Sequence, residues 1–213
     1  MRDSYKTGII FDLDGTLWNT TEELFNAWNT VVAKHGLPPA PRDAIHRIFM
    51  GMKPHVIAET MFPDKPLGEA IGIFNECLAE ADRNVAAYGG ALYDGTVETL
   101  SLLQRDYFLA LVSNCPQEYL NLFFDFHQLG RFFDDFEIYG RTHLRKDENI
   151  RLVIERNALE SAVYIGDTEA DLHSAQTADV PFVWAAYGFG IDVPSAYRIE
   201  SLAELPSLAA LLL

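Results

Sequence analysis

The chain has 213 residues, of which 49% are hydrophobic and 22% charged, and this composition is typical of a globular protein and excludes a disordered one. Its 31 acidic and 16 basic residues give a net charge of −15, which would repel nucleic acids and anionic membranes, so we expect neither as a partner. No apolar run approaches the ~20 residues of a membrane helix, and the N-terminus lacks a signal-peptide core. Cys77 and Cys115 are expected to be free buried thiols. We therefore expect a cytoplasmic protein.

Residues 9–17 read Ile-Ile-Phe-Asp-Leu-Asp-Gly-Thr-Leu and predict a short buried strand that ends in two carboxylates and a turn. In doubly wound sheets, reactive groups lie just beyond the carboxyl ends of strands, where Asp12 and Asp14 fall. Two carboxylates this close repel each other unless a cation or a shared proton intervenes. An isolated Asp-x-Asp-Gly is also typical of an ordinary turn, so the motif needs partners elsewhere in the chain.

The next part of the chain predicts an inserted helical domain. Residues 20–35 carry apolar residues at helical spacing, Gly36-Leu37-Pro38-Pro39 ends that pattern, and residues 67–87 predict a longer helix. No strand-like run is evident between residues 18 and 105, which is abnormal for a simple alternation of strands and helices. We therefore expect a helical cap domain at 18–87, a return hinge at Gly89-Gly90, and a catalytic core formed by 1–17 and 88–213.

Strands and helices alternate in the remainder of the chain. This alternation predicts a doubly wound parallel sheet, so the expected fold class is α/β with an inserted all-helical domain. Strands are predicted at 108–113, 136–139, 162–165 and 182–185. Helices are predicted at 96–104, 117–126, 148–157, 169–178 and 202–212.

Polar or charged residues lie beside three of the later elements. Ser113 and Asn114 come directly after a strand and suit an anion's oxygens, although Ser113 alone is also typical of a helix N-cap. Asp167 lies at a strand tip and Asp171 one helical turn later, so both can face one pocket. Lys146 precedes an acidic helix start, and taken alone it would be a solvated surface lysine.

Together these residues resemble the haloacid dehalogenase-type hydrolase superfamily, in particular its helical-cap phosphatases of the phosphoglycolate phosphatase and β-phosphoglucomutase-like branch. The resemblance covers nearly the whole chain. Residues 11–17 match the first motif, Ser113 the second, Lys146 the third and residues 166–171 the fourth. The chain departs from the common pattern at Asp147 and Asp94, where proline is frequent, and at Trp18-Asn19-Thr20 after the first motif.

The resemblance implies a phosphatase that uses Mg²⁺ and acts on a small phosphorylated metabolite. Asp12 would be the nucleophile that forms an aspartyl-phosphate, and Asp14 the general acid and base. The ion would be held by Asp12, the backbone carbonyl of Asp14 and Asp167, with Asp171 supporting these ligands. Ser113, Asn114 and Lys146 would bind the phosphoryl group.

Several alternatives stay open. Asp14 favours a phosphatase or a phosphomutase over the superfamily's dehalogenases, which lack a general acid at this position. A β-phosphoglucomutase-like phosphomutase uses the same first-step residues, and a non-catalytic protein on the same scaffold is the alternative from another class. In the cap, Arg47 and Lys53 could offset a second anionic group of the substrate, or could be solvated surface residues. The sequence indicates no oligomeric state.

Overall fold

The computed structural model describes residues 6–40 and 54–213. The chain divides into two compact units, one formed by Met1–Asn19 with Ala91–Leu213 and the other by Thr20–Gly90. Both boundaries lie slightly later in the chain than predicted, because Trp18–Asn19 and Ala91–Leu92 pair with each other as short strands in the first unit.

The first unit is built on a six-stranded sheet with the order β5-β4-β1-β6-β7-β8, in which every neighbouring pair is parallel. The strands of the described residues are β1 (Thr7–Phe11), β2 (Trp18–Asn19), β3 (Ala91–Leu92), β4 (Phe108–Ser113), β5 (Asp135–Ile138), β6 (Ser161–Gly166), β7 (Phe182–Ala185) and β8 (Tyr197–Ile199). β2 and β3 form a separate antiparallel pair.

Helices flank this sheet, and the helical unit contributes three more. The α-helices of the described residues are α1 (Thr21–Lys34), α2 (Pro54–Met61), α3 (Leu67–Tyr88), α4 (Thr96–Leu103), α5 (Gln117–His127), α6 (Tyr139–Thr142), α7 (Lys146–Arg156), α8 (Glu169–Ala178) and α9 (Leu205–Leu212). Short 3₁₀ helices occupy Leu129–Phe132 and Leu202–Glu204. None of the helices in these ranges is long and apolar enough to span a bilayer.

The register of the sheet brings the carboxyl ends of β1, β4 and β6 together. Phe11, the last residue of β1, pairs with Leu111 on one side and Ile165 on the other. The side chains of β1 alternate between two buried faces, and Ile10 belongs to a core cluster with Tyr164 and Ala110 of the neighbouring strands. A central strand buried on both faces is typical of parallel sheets and explains the continuous apolar run of the sequence.

The helical unit has its own hydrophobic core. Trp28 of α1 stacks on Phe62 with ring centroids 5.7 Å apart and meets Phe74 of α3 edge-on at 6.2 Å. Ile57, Ala58, Ile73 and Cys77 are buried in the same cluster. α3 is capped by Gly89, whose φ of 79° lies in the left-handed region that glycine adopts without strain.

The predicted fold class, a doubly wound parallel α/β protein with an inserted all-helical domain, is confirmed. The prediction that no strand occurs between residues 18 and 105 is wrong, because β2 and β3 lie there. Each has only two residues, too few for a periodic pattern. β8 and α6 were not predicted either, and they are three and four residues long.

Candidate active site

The site lies beyond the carboxyl ends of β1 and β6. Asp12 continues the line of β1 by one residue, since its N–H donates to the carbonyl of Ile165 at 2.8 Å. Asp167 follows the last residue of β6 and is fully buried. The sheet therefore places Asp12 and Asp167 on neighbouring strands, as the spacing of the sequence predicts.

Lys146 connects this pair of strands to α8. Its Nζ donates to Asp12 Oδ1 at 2.8 Å and to Asp171 Oδ1 at 2.6 Å, and only 10% of its side chain is exposed. Burial lowers the pKa of Lys146, but the charges of Asp12 and Asp171 outweigh that effect and raise the pKa well above its usual value. The lysine is therefore a permanent cation inside the site. It is the first residue of α7 rather than a residue before the helix.

Asp171 is oriented by the start of α8. Its Oδ2 accepts hydrogen bonds from the N–H and the hydroxyl of Thr168, and its own N–H donates back to Thr168 Oγ1. This reciprocal pair is a capping box, which fixes the first turn of the helix. Because its Oδ1 binds Lys146, both carboxylate oxygens of Asp171 already have partners.

Asp167 differs from Asp171 in this respect. Its Oδ2 accepts the N–H of Phe189 at 2.7 Å, whereas its buried Oδ1 finds no hydrogen-bond partner in the described part of the chain. Burial, reinforced by the charge of Asp171, raises the pKa of Asp167 to about 7. One oxygen atom of Asp167 is thus left for a further ligand.

Three carboxylates of this site could hold a cation together. Asp12, Asp167 and Asp171 each present an oxygen, and these atoms lie within 4.8 Å of one another. Burial and the charge of Asp171 raise the pKa of Asp12 well above its usual value, against the opposing effect of Lys146. Lys146 therefore balances only part of the negative charge of the three carboxylates.

Asp14 occupies a different environment on the same loop. Its Oδ1 accepts the hydroxyl of Tyr119 at 2.9 Å. Burial raises the pKa of Asp14 to about 6, and the bond from Tyr119 opposes this rise. A carboxyl group with a pKa near neutrality can both donate and accept a proton at physiological pH.

Ser113 and Asn114 lie at the end of β4, as predicted. Ser113 is buried and its Oγ accepts the N–H of Cys115 at 3.4 Å, so the hydroxyl proton can be directed elsewhere. Asn114 is exposed, and it lines a cavity of about 650 Å³ together with Lys146. Both cysteines are free and buried.

Glycines let the loop after β7 approach the site closely. A Cβ on Gly188 would lie 2.3 Å from Asp167 Cβ, and one on Gly190 would lie 2.0 Å from the Asp167 carbonyl oxygen. Gly15 has a φ of 80°, and a Cβ there would lie 2.1 Å from Asp167 Oδ2. Only glycine fits these three positions without displacing the backbone or the side chain of Asp167.

The structure brings together most of the predicted site and adds residues that the sequence analysis missed. Asp12, Lys146, Asp167 and Asp171 form one group, whereas Arg47 and Lys53 lie outside the described residues. The residues missed were Tyr119, Thr168 and Phe189. Thr168 and Asp171 could have been recognised as a capping pair from their spacing, but no local signal links Tyr119 to Asp14 or Phe189 to Asp167.

The chain is similar to a known protein family and to several relatives of known name. A sequence model of the haloacid dehalogenase-like hydrolase family matches residues 9–185. The phosphoglycolate phosphatase 1 of Pseudomonas aeruginosa is 28% identical over 209 residues, which cover 91% of this chain and 74% of the relative. The phosphoglycolate phosphatase of Rhodobacter capsulatus is 29% identical over 214 residues, covering 94% and 95%.

Solved structures show the same fold. The crystal structure of a protein described as a predicted phosphoglycolate phosphatase, from Haemophilus somnus, superposes with a TM-score of 0.83 at 18% identity, covering 98% of this chain and all of that one. A subfamily IA hydrolase of the same superfamily from Geobacter sulfurreducens gives a TM-score of 0.76 at 23% identity, with 96% and 97% covered. With more than half of its residues matched by the family's sequence model, the chain belongs to the haloacid dehalogenase-like hydrolase family.

Proposed function

We propose that this protein is a Mg²⁺-dependent phosphatase that hydrolyses a small phosphorylated metabolite through an aspartyl-phosphate on Asp12. The observation that carries the proposal is the placement of two carboxylates with different partners on one loop. Asp12 is bonded to the buried cation Lys146, whereas Asp14 is bonded to a neutral hydroxyl. The cation beside Asp12 suits a nucleophile that must approach an anionic phosphate. The neutral partner of Asp14 suits a carboxyl group that donates and accepts a proton.

The acidic group fits a hard divalent cation. The buried Oδ1 of Asp167, which finds no hydrogen-bond partner among the described residues, and the nearby Asp12 are oxygen donors of the kind that Mg²⁺ prefers. Asp171 has both oxygens engaged by Lys146 and Thr168, which supports its assignment as a residue that orients the ligands. We assign Asp12, Asp14 and Asp167 as the ligands, Asp14 through its backbone carbonyl. When bound, the ion would neutralise charge on the carboxylates and on the phosphoryl oxygens.

The residues of the chain account for both halves of the reaction. An Asp12 oxygen attacks the phosphorus, the bond from phosphorus to the ester oxygen breaks, and the carboxyl of Asp14 gives its proton to that leaving oxygen. Water then attacks the phosphorus of the aspartyl-phosphate, and the bond to Asp12 breaks while Asp14 takes the water's proton. A single group of pKa near neutrality serves both steps.

Lys146, Ser113 and Asn114 are proposed to bind the transferring phosphoryl group. Lys146 supplies a fixed positive charge 2.8 Å from the Asp12 oxygen, where the phosphoryl group would be transferred. The Ser113 hydroxyl and the Asn114 amide supply neutral hydrogen-bond donors at the neighbouring strand end. Phosphoryl transfer depends chiefly on such positioned charge and hydrogen bonds.

The relatives named phosphoglycolate phosphatases suggest the substrate class. We propose a phosphoglycolate-like substrate, a small phosphate ester with a second anionic group, which Arg47 and Lys53 would offset. This role of the two residues stays a prediction, as does the cytoplasmic location. Lys53→Ala should raise KM for 2-phosphoglycolate more than for p-nitrophenyl phosphate, and an equal effect on both would contradict it.

The proposal is tested by measuring phosphate release from a panel of phosphorylated metabolites and from p-nitrophenyl phosphate. EDTA should abolish turnover and Mg²⁺ should restore it. Asp12→Asn should abolish turnover while circular dichroism stays unchanged, and the exposed Asp106→Asn is the matched control. Full activity of Asp12→Asn would refute the mechanism. Conversion of β-glucose 1-phosphate to glucose 6-phosphate without free phosphate would identify a phosphomutase instead.

A further inference from the structure

Tyr119 donates a hydrogen bond to Asp14, and it lies on helix α5, outside the four sequence motifs of the family. It lies in the first turn of α5, its hydroxyl is 2.9 Å from Asp14 Oδ1, and its ring is half-buried. The bond joins residues that are 105 positions apart in the chain. A hydrogen bond to one oxygen of a carboxyl group restricts the rotation of that group and leaves the other oxygen accessible.

Trp18 holds the ring of Tyr119 in place. The two ring centroids are 4.8 Å apart, and Trp18 is fully buried. Phe123, on the same helix as Tyr119, also packs on Trp18 at 5.3 Å. Such aromatic contacts contribute beyond the apolar area that they bury, and they limit where the tyrosine hydroxyl can point.

The backbone of Trp18 is tied to the same loop that carries Asp14. Its N–H donates to the carbonyl of Leu13 at 3.1 Å, and its carbonyl accepts the N–H of Gly15 at 2.9 Å. The loop, the Trp18 ring and the Tyr119 hydroxyl therefore form a closed chain of contacts that begins and ends at Asp14.

We infer that Tyr119 is a positioning residue for the leaving-group step, and that Trp18 fixes Tyr119 in the required orientation. The inference rests on the proposed phosphatase activity. With Oδ1 of Asp14 bonded to Tyr119, the transferable proton resides on Oδ2. As the bond from Asp12 to phosphorus forms and the ester bond breaks, that proton passes from Oδ2 to the leaving oxygen. Loss of the Tyr119 hydroxyl lets the carboxyl group rotate and misplaces the proton.

The test compares two aryl phosphates that differ in how much they need this proton. The nitro group stabilises the p-nitrophenolate anion, so p-nitrophenyl phosphate needs little protonation of its leaving oxygen, whereas phenyl phosphate needs more. Tyr119→Phe should lower kcat/KM for phenyl phosphate by about 10–100-fold, within the range of general acid catalysis and of small misplacements. For p-nitrophenyl phosphate the loss should stay below about threefold, because the nucleophile and the phosphoryl site are intact.

Two further variants separate positioning from a general loss of structure. Tyr197→Phe, on the distant strand β8, should leave both substrates unaffected. Trp18→Phe should act in the same direction as Tyr119→Phe but less strongly, and the double variant should match Tyr119→Phe alone, since the two residues act through one hydroxyl. Equal losses for the two substrates, or no loss for either, would overturn the inference.

A crystal structure of Tyr119→Phe supplies a readout that does not depend on turnover. The Asp14 carboxyl group is expected to rotate away from its wild-type orientation, and an unchanged orientation would refute the positioning role. If the wild-type protein with Mg²⁺ releases phosphate neither from the two aryl esters nor from the panel of phosphorylated metabolites, the proposed phosphatase activity fails. In that case the crystal structure still decides whether Tyr119 orients Asp14.

Discussion

Asp167→Asn should stabilise the protein in the absence of metal, with a gain that grows as the pH rises. The carboxyl group of Asp167 is fully buried, close to Asp171, and has one oxygen without a hydrogen-bond partner among the described residues. These surroundings penalise its charged form and raise its pKa from 3.8 to about 7. Asparagine has nearly the same shape, carries no charge at any pH, and can still accept the N–H of Phe189.

The size of the effect follows from proton linkage. Between pH 3.8 and about 7 the folded protein keeps a proton on Asp167 that the unfolded chain has released, so stability falls as the pH rises through this window. A pKa difference of one unit between the folded and the unfolded state corresponds to about 1.4 kcal/mol in the free energy of unfolding. From about pH 5 to pH 8 the free energy of unfolding of the wild type should therefore fall by about 3 kcal/mol relative to that of the variant. This corresponds to about 6–12 °C in Tm for a protein of this size.

Thermal unfolding of both proteins in EDTA, measured at about pH 5 and pH 8, tests this prediction. Any difference in packing or hydrogen bonding between Asp and Asn is present at both pH values and cancels in the comparison. The exposed Asp106→Asn should show no such pH-dependent gap. A gap between Asp167→Asn and wild type that stays constant between the two pH values would show that Asp167 is already ionised in the folded protein, and would refute the reasoning.

Three further predictions concern the metal, the first-motif glycine and the helical unit. Mg²⁺ should raise the Tm of the wild type more at pH 8 than at pH 5, because protons compete for the carboxylates, and should leave the Tm of Asp167→Asn unchanged. Gly15→Ala should destabilise the fold by more than about 1 kcal/mol and weaken Mg²⁺ binding measured by calorimetry, since its Cβ would overlap Asp167. Trp28→Ala should cost about 3–5 kcal/mol in denaturant unfolding by opening a cavity beside Phe62, whereas the exposed Tyr88→Ala should cost little.

The positions of the reactive side chains were predictable because they follow strands whose apolar runs are unambiguous. β4 and β7 have the predicted bounds, and the carboxyl ends of parallel strands share one edge of a sheet. Asp12 and Asp167 could therefore be placed together without a structure. Lys146 could be assigned only through the resemblance, since nothing local distinguishes it from a surface lysine.

The contacts that orient these residues were not predictable. Tyr119 reaches Asp14, and Phe189 reaches Asp167, across long stretches of sequence and through geometry that no local pattern encodes. Gly188 and Gly190 illustrate the same limit, because no local pattern in the sequence indicates that they lie against Asp167. The two-residue strands β2 and β3 were not predicted, because a periodic pattern needs more residues than they have.

The central place of β1 in the sheet has a consequence for how the protein forms during synthesis. Gly8 pairs with Phe108, and Thr7 pairs with Ser161, so both neighbours of β1 are translated after the whole of Thr20–Gly90. The helical unit, with its local contacts, can be complete on the ribosome while β1 is still an unpaired apolar segment. Such a segment is prone to aggregation until its partners emerge. The carboxylates at its end are thus among the first residues made and among the last to reach their final positions.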